Sequence, residues 1–385
     1  MADRVSAGVV DLSLWTTDKA ALVAQIGAAA KDTGFLQVYN HGIPQEAIDA
    51  AFGASRAFFA LPDADKARTP FVGWAGGWEK EQQARGARRA PRGAWVLPRG
   101  GLTLGPLSRL PRPRPLTRRN TAPAQVRPST GTADLKESFQ IGYTEAAQAS
   151  WPAEELAPGF RPTCEAFMAH AAAVSDVLLR ALALALEMPE DELSKEHDPK
   201  APDVQTRCAR NAAVIAGSVC TRLTLAHLPS SLRLLHYPGL DPARSGEQAG
   251  RWRAGAHTDF DVLTLLFQRP GEGGLEVCPG RLASNEFAYG DTWLPVPPIA
   301  GCITCNIGDM LMRWSDDRVV STFHRVRAPA PDEPNFGASR YSIAYFNQAR
   351  CGTVIAGATG KYEPLTGREF MEQSIKRNFA AYAGR

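Results

Sequence analysis

The chain is poor in the features that mark secreted, disulfide-stapled or membrane-spanning proteins. Only seven of its 385 residues are cysteine, an odd number scattered along the chain, so reduced thiols are expected rather than a disulfide framework. Cys302 and Cys305 form a C-x-x-C. No second pair stands at zinc-ribbon spacing, however, and the context GCITCNIGD reads as a strand, so both are taken as small packed residues. The opening MADRVSAGVVDLSLW lacks the apolar run of a signal peptide. The most apolar stretch, AAAVSDVLLRALALALEM, is interrupted by Ser175, Asp176 and Arg180, which argues against a bilayer span. These absences point to a cytoplasmic chain with no membrane partner.

Lysine is missing from one region, and acidic residues nearly so. Between Glu81 and Ala124 there are ten arginines and seven prolines, no lysine and a single acid. Ten positive charges against one negative give that region +9, so with a formal net charge of +3 the rest of the chain sums to −6. The basic character is local, and no nucleic-acid partner is assigned to it. Without apolar periodicity such a stretch cannot bury enough surface to offset its ordering entropy, so a disordered Arg/Pro-rich insert is expected over 81–124. GGWEK ends cleanly before it and QVRPSTGTADLKESFQIG resumes cleanly after it, in the manner of a translated intron interrupting a core sequence. A second insert of this kind is expected over 206–229.

The remainder is well patterned. At 44% hydrophobic residues the chain can bury a substantial core. VVDLSLW reads as a strand. A helix follows that starts at Thr17 or Asp18 and stops at Gly34. GFLQVYNHGIP reads as strand then turn, and Gln45–Phe59 as a second helix. A long helix is expected from about Arg161 to Met188, closed by Pro189. From Ser231 onward come short β runs with no helix between them, which argues for a sandwich, jelly roll or barrel. The expected organisation is an N-terminal α/β cap over 1–80, a helical part of that cap over 125–205, a β core over 230–350 and a C-terminal helix within 351–385.

Histidine is scarce too, with seven in all, which makes their placement informative. In HTDFDVLTLLFQ, His257 and Asp259 stand two apart, so on a strand both face the same way while Thr258 points elsewhere. Much later comes His324 in STFHRVRAP. Two imidazoles and one carboxylate on one face of a cation leave open positions, the pattern of non-haem Fe(II) oxygenases. His41, His170, His197, His227 and His236 are instead expected to be core histidines satisfied by backbone. Arg340 and Ser342 in ASRYSIAYF also alternate onto one face, and a guanidinium beside a hydroxyl suits a carboxylate.

Taken together, NHGIP with FFALP, DLKESFQIG, LRLLHYP, HTDFDVLTLL, NIGDMLMRWS, STFHRV and RYSIAYF resemble, in order and rough spacing, the isopenicillin N synthase-like Fe(II)/2-oxoglutarate dioxygenases. The resemblance covers nearly the whole chain apart from the two suspected inserts. It implies a mainly β fold with flanking helices, built on a double-stranded β-helix (jelly-roll) core. It assigns Fe(II) to His257, Asp259 and His324. It assigns the distal carboxylate of 2-oxoglutarate to Arg340, Ser342 and Tyr237, with Leu235 standing where the family carries Asn. The implied activity is hydroxylation of a small organic substrate by O₂, with release of succinate and CO₂ and no catalytic side chain beyond the metal ligands. LRLLHYP, HTDF and RYSIAYFNQ are most similar to fungal members, among them thymine dioxygenases. That similarity places a pyrimidine between Phe260 and Phe346, near Arg233. The alternatives are an oxidase of the isopenicillin N synthase type that does not use 2-oxoglutarate, and a product inactivated by its inserts.

Overall fold

In the computed structural model, residues 7–71, 76–80, 134–143, 150–197, 230–239, 252–279, 292–330, 332–333 and 335–379 are described. The expected inserts at 81–124 and 206–229, and with them His227, lie outside the described residues. The chain opens with β1 (Gly8–Asp11), a short α1 (Leu14–Thr17), α2 (Lys19–Asp32), β2 (Phe35–Tyr39), α3 (Gln45–Phe59), a short α4 (Asp63–Lys66), β3 (Gly77–Glu79) and β4 (Glu137–Gly142). The Asp18 carboxylate accepts from Ala21 N and caps α2. At its far end Gly34 turns the chain into β2 at φ 68°, where a Cβ would lie 2.1 Å from Val320 O.

The long helix α5 (Phe160–Ala185) precedes β5 (Ser231–Tyr237), β6 (Ala254–His257), β7 (Leu263–Phe267), β8 (Leu275–Cys278), β9 (Leu294–Pro295) and β10 (Ile303–Ile307). After them come α6 (Asp309–Trp314), β11 (Phe323–Val326), β12 (Arg340–Asn347), β13 (Val354–Ile355), β14 (Leu365–Thr366) and α7 (Gly367–Phe379). The final stretch is therefore not helix alone: the paired strands β13 and β14 come first, and the helix begins at Gly367.

Eight strands form one sheet in the order β1-β2-β10-β7-β12-β5-β4-β3, and four form a second in the order β6-β11-β8-β9. From β5 to β12 the chain passes repeatedly between the two sheets, which is the winding of a jelly roll. The N-terminal region is continuous with this core: β1 and β2 extend one edge of the large sheet, and β3 and β4 the other. Residues 125–205, expected to be helical, also supply the strand β4.

Side-chain alternation sets the layers. Leu232 and Leu234 of β5, Leu263, Leu265 and Phe267 of β7, and Ile343 and Tyr345 of β12 join the larger apolar core with α2, α3 and α5. The intervening residues turn the other way. Leu235, Tyr237 and Ala344 join a smaller core with Ala254, Leu275, Val277 and Val326 of the facing sheet. By length and composition α5 could cross a membrane, but here it buries Phe160, Cys164, Phe167, Leu178 and Leu182, and Phe167 packs edge-on to Phe267 at 4.8 Å. Cys305 lies fully buried on β10, where burial pushes its thiol up, and both it and Cys302 are free, in keeping with packed residues.

Candidate active site

Between the two sheets lies a cavity of about 370 Å³ that all nine sequence-predicted site residues line: His257, Asp259, His324, Tyr237, Arg340, Ser342, Arg233, Phe260 and Phe346. His257 ends β6, and His324 sits opposite it on β11 as its cross-strand partner, with ring centroids 4.3 Å apart. Asp259 is not on the strand, as the H-x-D spacing suggested, but in the loop just beyond it. The loop still delivers the carboxylate: Oδ1 lies 3.8 Å from His257 Nε2, and Oδ2 lies 3.8 Å from His324 Nε2. The three donor atoms fall within 4.8 Å of one another.

The surroundings fix these donors. His257 Nδ1 bonds Gly255 O at 2.7 Å and His324 Nδ1 bonds Thr322 O at 3.2 Å, so both imidazoles turn Nε2 toward the shared space. Asp259 Oδ2 accepts from Thr264 Oγ1 at 2.7 Å and from Asn306 Nδ2 at 2.8 Å. Thr258, expected to point elsewhere, also borders the cavity and donates to Asp309 Oδ2 at 3.1 Å, and Asp309 N bonds Asp259 O at 2.8 Å. Burial pushes the Asp309 carboxyl up to about 6, against hydrogen bonds from Ser321 and Thr258. Burial, with the charge of Asp259 next, pushes Asp261 up as well, and its Oδ2 lies 2.9 Å from Thr264 Oγ1. A hard carboxylate and two neutral imidazoles, each oriented by a second partner and gathered on one side of an open cavity, fit a divalent iron without saturating it.

At the other end of the same space, Arg340 and Tyr237 face each other across β12 and β5, the guanidinium 4.8 Å from the ring centroid. Arg340 is 1% exposed and donates to Ser342 Oγ at 3.2 Å, Gln268 Oε1 at 2.9 Å and Glu272 O at 2.9 Å. All of these acceptors are neutral. Leu235 lies on the same face two residues before Tyr237, so the position where the family carries Asn presents an apolar side chain to the cavity.

The third region carries the aromatic rings. Phe260 and Phe346 line it, joined by Phe71, Gln140, Gln348 and Met371, none of which the sequence singled out. Arg233 stands here with its charge already matched: Nη2 donates to Glu79 Oε2 at 3.0 Å. Lys136, also on the lining, is matched by Asp134 at 2.8 Å. Gln348 Oε1 and Arg233 Nε have no hydrogen-bond partner among the described residues.

The remaining described histidines divide. His197 is buried and bonded to Leu193 O, as expected. His236 is held by side chains instead, with Nδ1 on Glu137 Oε1 at 2.8 Å and the ring stacked on Tyr341 at 4.5 Å. His41 Nδ1 accepts from Ile43 N.

The model of the 2OG-Fe(II) oxygenase superfamily matches residues 229–349, and that of the non-haem dioxygenase N-terminal region in morphine synthesis matches 8–91. A 2-oxoglutarate-dependent dioxygenase, frbA, from Dothideomycetidae sp. is 30% identical over 336 residues, covering 84% of this chain and 78% of that protein. The chain belongs to the 2OG-Fe(II) oxygenase superfamily. It is a non-haem iron dioxygenase that uses 2-oxoglutarate and O₂, of the type found in fungi, and the oxidase alternative falls away. The proline hydroxylase buaE of Petromyces alliaceus is 29% identical, over 85% of this chain and 81% of its own length. Among solved structures, a full-length Neurospora crassa protein in complex with alpha-KG and thymine superposes with a TM-score of 0.66 at 25% identity, covering 97% of this chain and 96% of that one.

Proposed function

We propose that this dioxygenase hydroxylates a small, flat, neutral heterocycle of the pyrimidine class, thymine being the first compound to test. The observation that carries the reading is how the substrate region of the cavity is furnished. Phe71, Phe260 and Phe346 offer ring faces suited to stacking on a planar ring. Gln140 and Gln348 bring amides, and Arg233 a guanidinium, to the same lining. A lactam edge presents both N–H and C=O and would satisfy such groups. A carboxylate substrate would find the two cations here, Arg233 and Lys136, already paired with Glu79 and Asp134. The likeness to the Neurospora crassa structure holding thymine supports the same class.

In this reading His257, Asp259 and His324 hold Fe(II), while Arg340, Ser342 and Tyr237 hold the far carboxylate of 2-oxoglutarate. Iron held there would activate O₂, which is the oxidant, with 2-oxoglutarate as the co-reductant that leaves as succinate and CO₂ while the second oxygen atom goes to the substrate. The protein's own work is orientation. Thr264 and Asn306 fix the Asp259 carboxylate, Gln268 fixes the Arg340 fork, and the apolar walls from Leu235, Leu266, Leu275 and Val326 exclude water. Free, buried cysteines fit a reducing cytoplasm.

The test is anaerobic titration of the full chain with Fe(II) and 2-oxoglutarate, followed by aerobic incubation with thymine and assay of succinate and hydroxylated product. A visible charge-transfer band with substrate-dependent succinate is the expected outcome. A band without thymine turnover removes thymine. No band in the full chain, with a normal band in a chain lacking 81–124 and 206–229, identifies the full-length product as inactive.

A further inference from the structure

Arg253 and Arg340 head the fully buried side chains ranked by size, each 1% exposed. Large cations are seldom buried without an anion, because desolvation of an unpaired charge is costly. Arg340 spends its donors on a main-chain carbonyl, a hydroxyl and an amide. Arg253 donates Nη2 to Ala338 O at 2.7 Å, and its Nε has no partner among the described residues. Among those residues, neither guanidinium has a carboxylate at salt-bridge distance. The acid whose charge reaches Arg253 is Glu272, and Glu272 is shared: Oε2 accepts from Tyr341 N at 2.6 Å, and Oε1 lies 3.9 Å from Arg269 Nε. Burial, and after it the like charge of Arg340, pull the Arg253 guanidinium down to about 10, so it remains protonated at neutral pH.

The two cations differ in one respect. Arg340 lines the cavity and Arg253 does not. Arg253 lies just before β6, four residues ahead of His257, and is tied to Ala338, two residues ahead of Arg340. It therefore stands behind the lining and links the segment leading into one metal-side strand to the segment that presents Arg340. Like charges confined in a dry interior repel, and an anion admitted beside them relieves that repulsion. A pocket furnished in this way is poised for a ligand with a negative group at this end.

We propose that Arg253 is a positioning residue for the cosubstrate: from behind Arg340 it supplies the second positive charge that makes this pocket selective for a 2-oxo acid bearing a distal carboxylate. It touches no reactant. The proposal rests on the assignment of Arg340 as the group that grips that carboxylate.

The test compares 2-oxoglutarate with 2-oxopentanoate, which has the same chain and metal-binding end but no distal carboxylate. Dissociation constants come from anaerobic Fe(II) titrations, and melting temperatures from the metal-free protein. Arg253→Met is expected to weaken 2-oxoglutarate about 10-fold or more while leaving 2-oxopentanoate within about 2-fold, since only the former carries the charge being read. The metal-free variant should melt no lower than wild type, because one member of a repelling pair is gone. Arg253→Lys, which restores the charge, should recover most of the discrimination.

Equal weakening of both acids, or an unchanged 2-oxoglutarate constant in folded Arg253→Met, overturns the proposal. Should the Met variant not fold, Arg253→Gln, which keeps a donor for Ala338 O, is read by the same comparison. Arg340→Met distinguishes the role of Arg253 from that of Arg340. If it lowers 2-oxoglutarate affinity while Arg253→Met does not, only the role of Arg253 falls. If neither variant does, the Arg340 assignment falls as well.

Discussion

The side-chain amide of Asn306 donates to Oδ2 of Asp259 at 2.8 Å, reaching from β10 of the large sheet to the loop that leaves β6 of the small one. It thereby sets the rotamer of the one anionic donor in the candidate metal site. Asn306→Ala should lower Fe(II) affinity roughly 10–100-fold, the usual cost of losing a group that orients a ligand. Anaerobic metal titration reads it, and an affinity equal to wild type would mean that Thr264 alone suffices.

Gly308 approaches the same loop from the other side. A Cβ at this position would lie 2.1 Å from Asp261 O and 2.4 Å from Asp261 Oδ1, so any side chain must push the loop carrying Asp259. Gly308→Ala is expected to cost about 1–3 kcal/mol of stability, as overpacking in a tight interior does. It should also weaken metal binding. Urea unfolding with and without Fe(II) separates the two effects.

Glu137 joins three partners: Lys66 Nζ at 2.9 Å, Trp78 Nε1 at 2.7 Å and His236 Nδ1 at 2.8 Å. Burial raises its pKa, but the hydrogen bonds from His236, Lys66 and Trp78 outweigh this and hold the carboxyl below its ordinary 4.5. Because the folded value is depressed, the stabilisation is fully present above 4.5 and is lost as pH falls through the folded value. Glu137→Gln takes the nearer of two carboxylates from buried Lys66, leaving Asp63 Oδ1 at 3.3 Å and Phe59 O at 3.2 Å, so it should cost roughly 1–3 kcal/mol at neutral pH. Its stability should also decline less steeply than wild type in acid. Equally steep acid unfolding of both proteins would assign the acid sensitivity elsewhere.

Helix α7 lines the cavity through Met371 and Ile375, beside the region proposed for the substrate. Ile375→Trp, which adds bulk there, should raise the KM for the primary substrate about 10-fold or more if the ring blocks stacking, with 2-oxoglutarate affinity unchanged. Steady-state kinetics with each component varied in turn gives the split, and a matching change in both constants would contradict it.

Much of the chemistry is legible in the sequence because the side chains involved are rare and their spacing is local. His257, Asp259 and His324 stand out in a chain with seven histidines, and the period of two in RYSIAYF places Arg340 and Ser342 on one face. The fold brings them together as that spacing suggests, although β6 ends before Asp259. Less legible is anything decided by a distant partner. The neutralisation of Arg233 depends on Glu79, 154 positions away, and the bond of His236 to Glu137 spans 99, where the sequence suggests a backbone partner. Gln140 lies in DLKESFQIG and Gln348 ends RYSIAYFNQ, but nothing in either motif marks the glutamine, so only the folded sheet reveals that both line the cavity. Arg253 reads as one arginine among many until its burial is seen. The N-terminal strands read as a separate cap because pairing between β2 and β10 joins residues more than 260 apart.

The cavity is electrically lopsided, with unmatched guanidinium charge at the Arg340 end and matched pairs around Arg233 and Lys136. Fields of that kind steer an approaching dianion but leave a neutral molecule to arrive by diffusion alone. The asymmetry therefore separates the two ligands by the salt dependence of their arrival. 2-Oxoglutarate should associate at a rate that declines as ionic strength rises, whereas the proposed uncharged substrate should associate at a rate that salt does not alter.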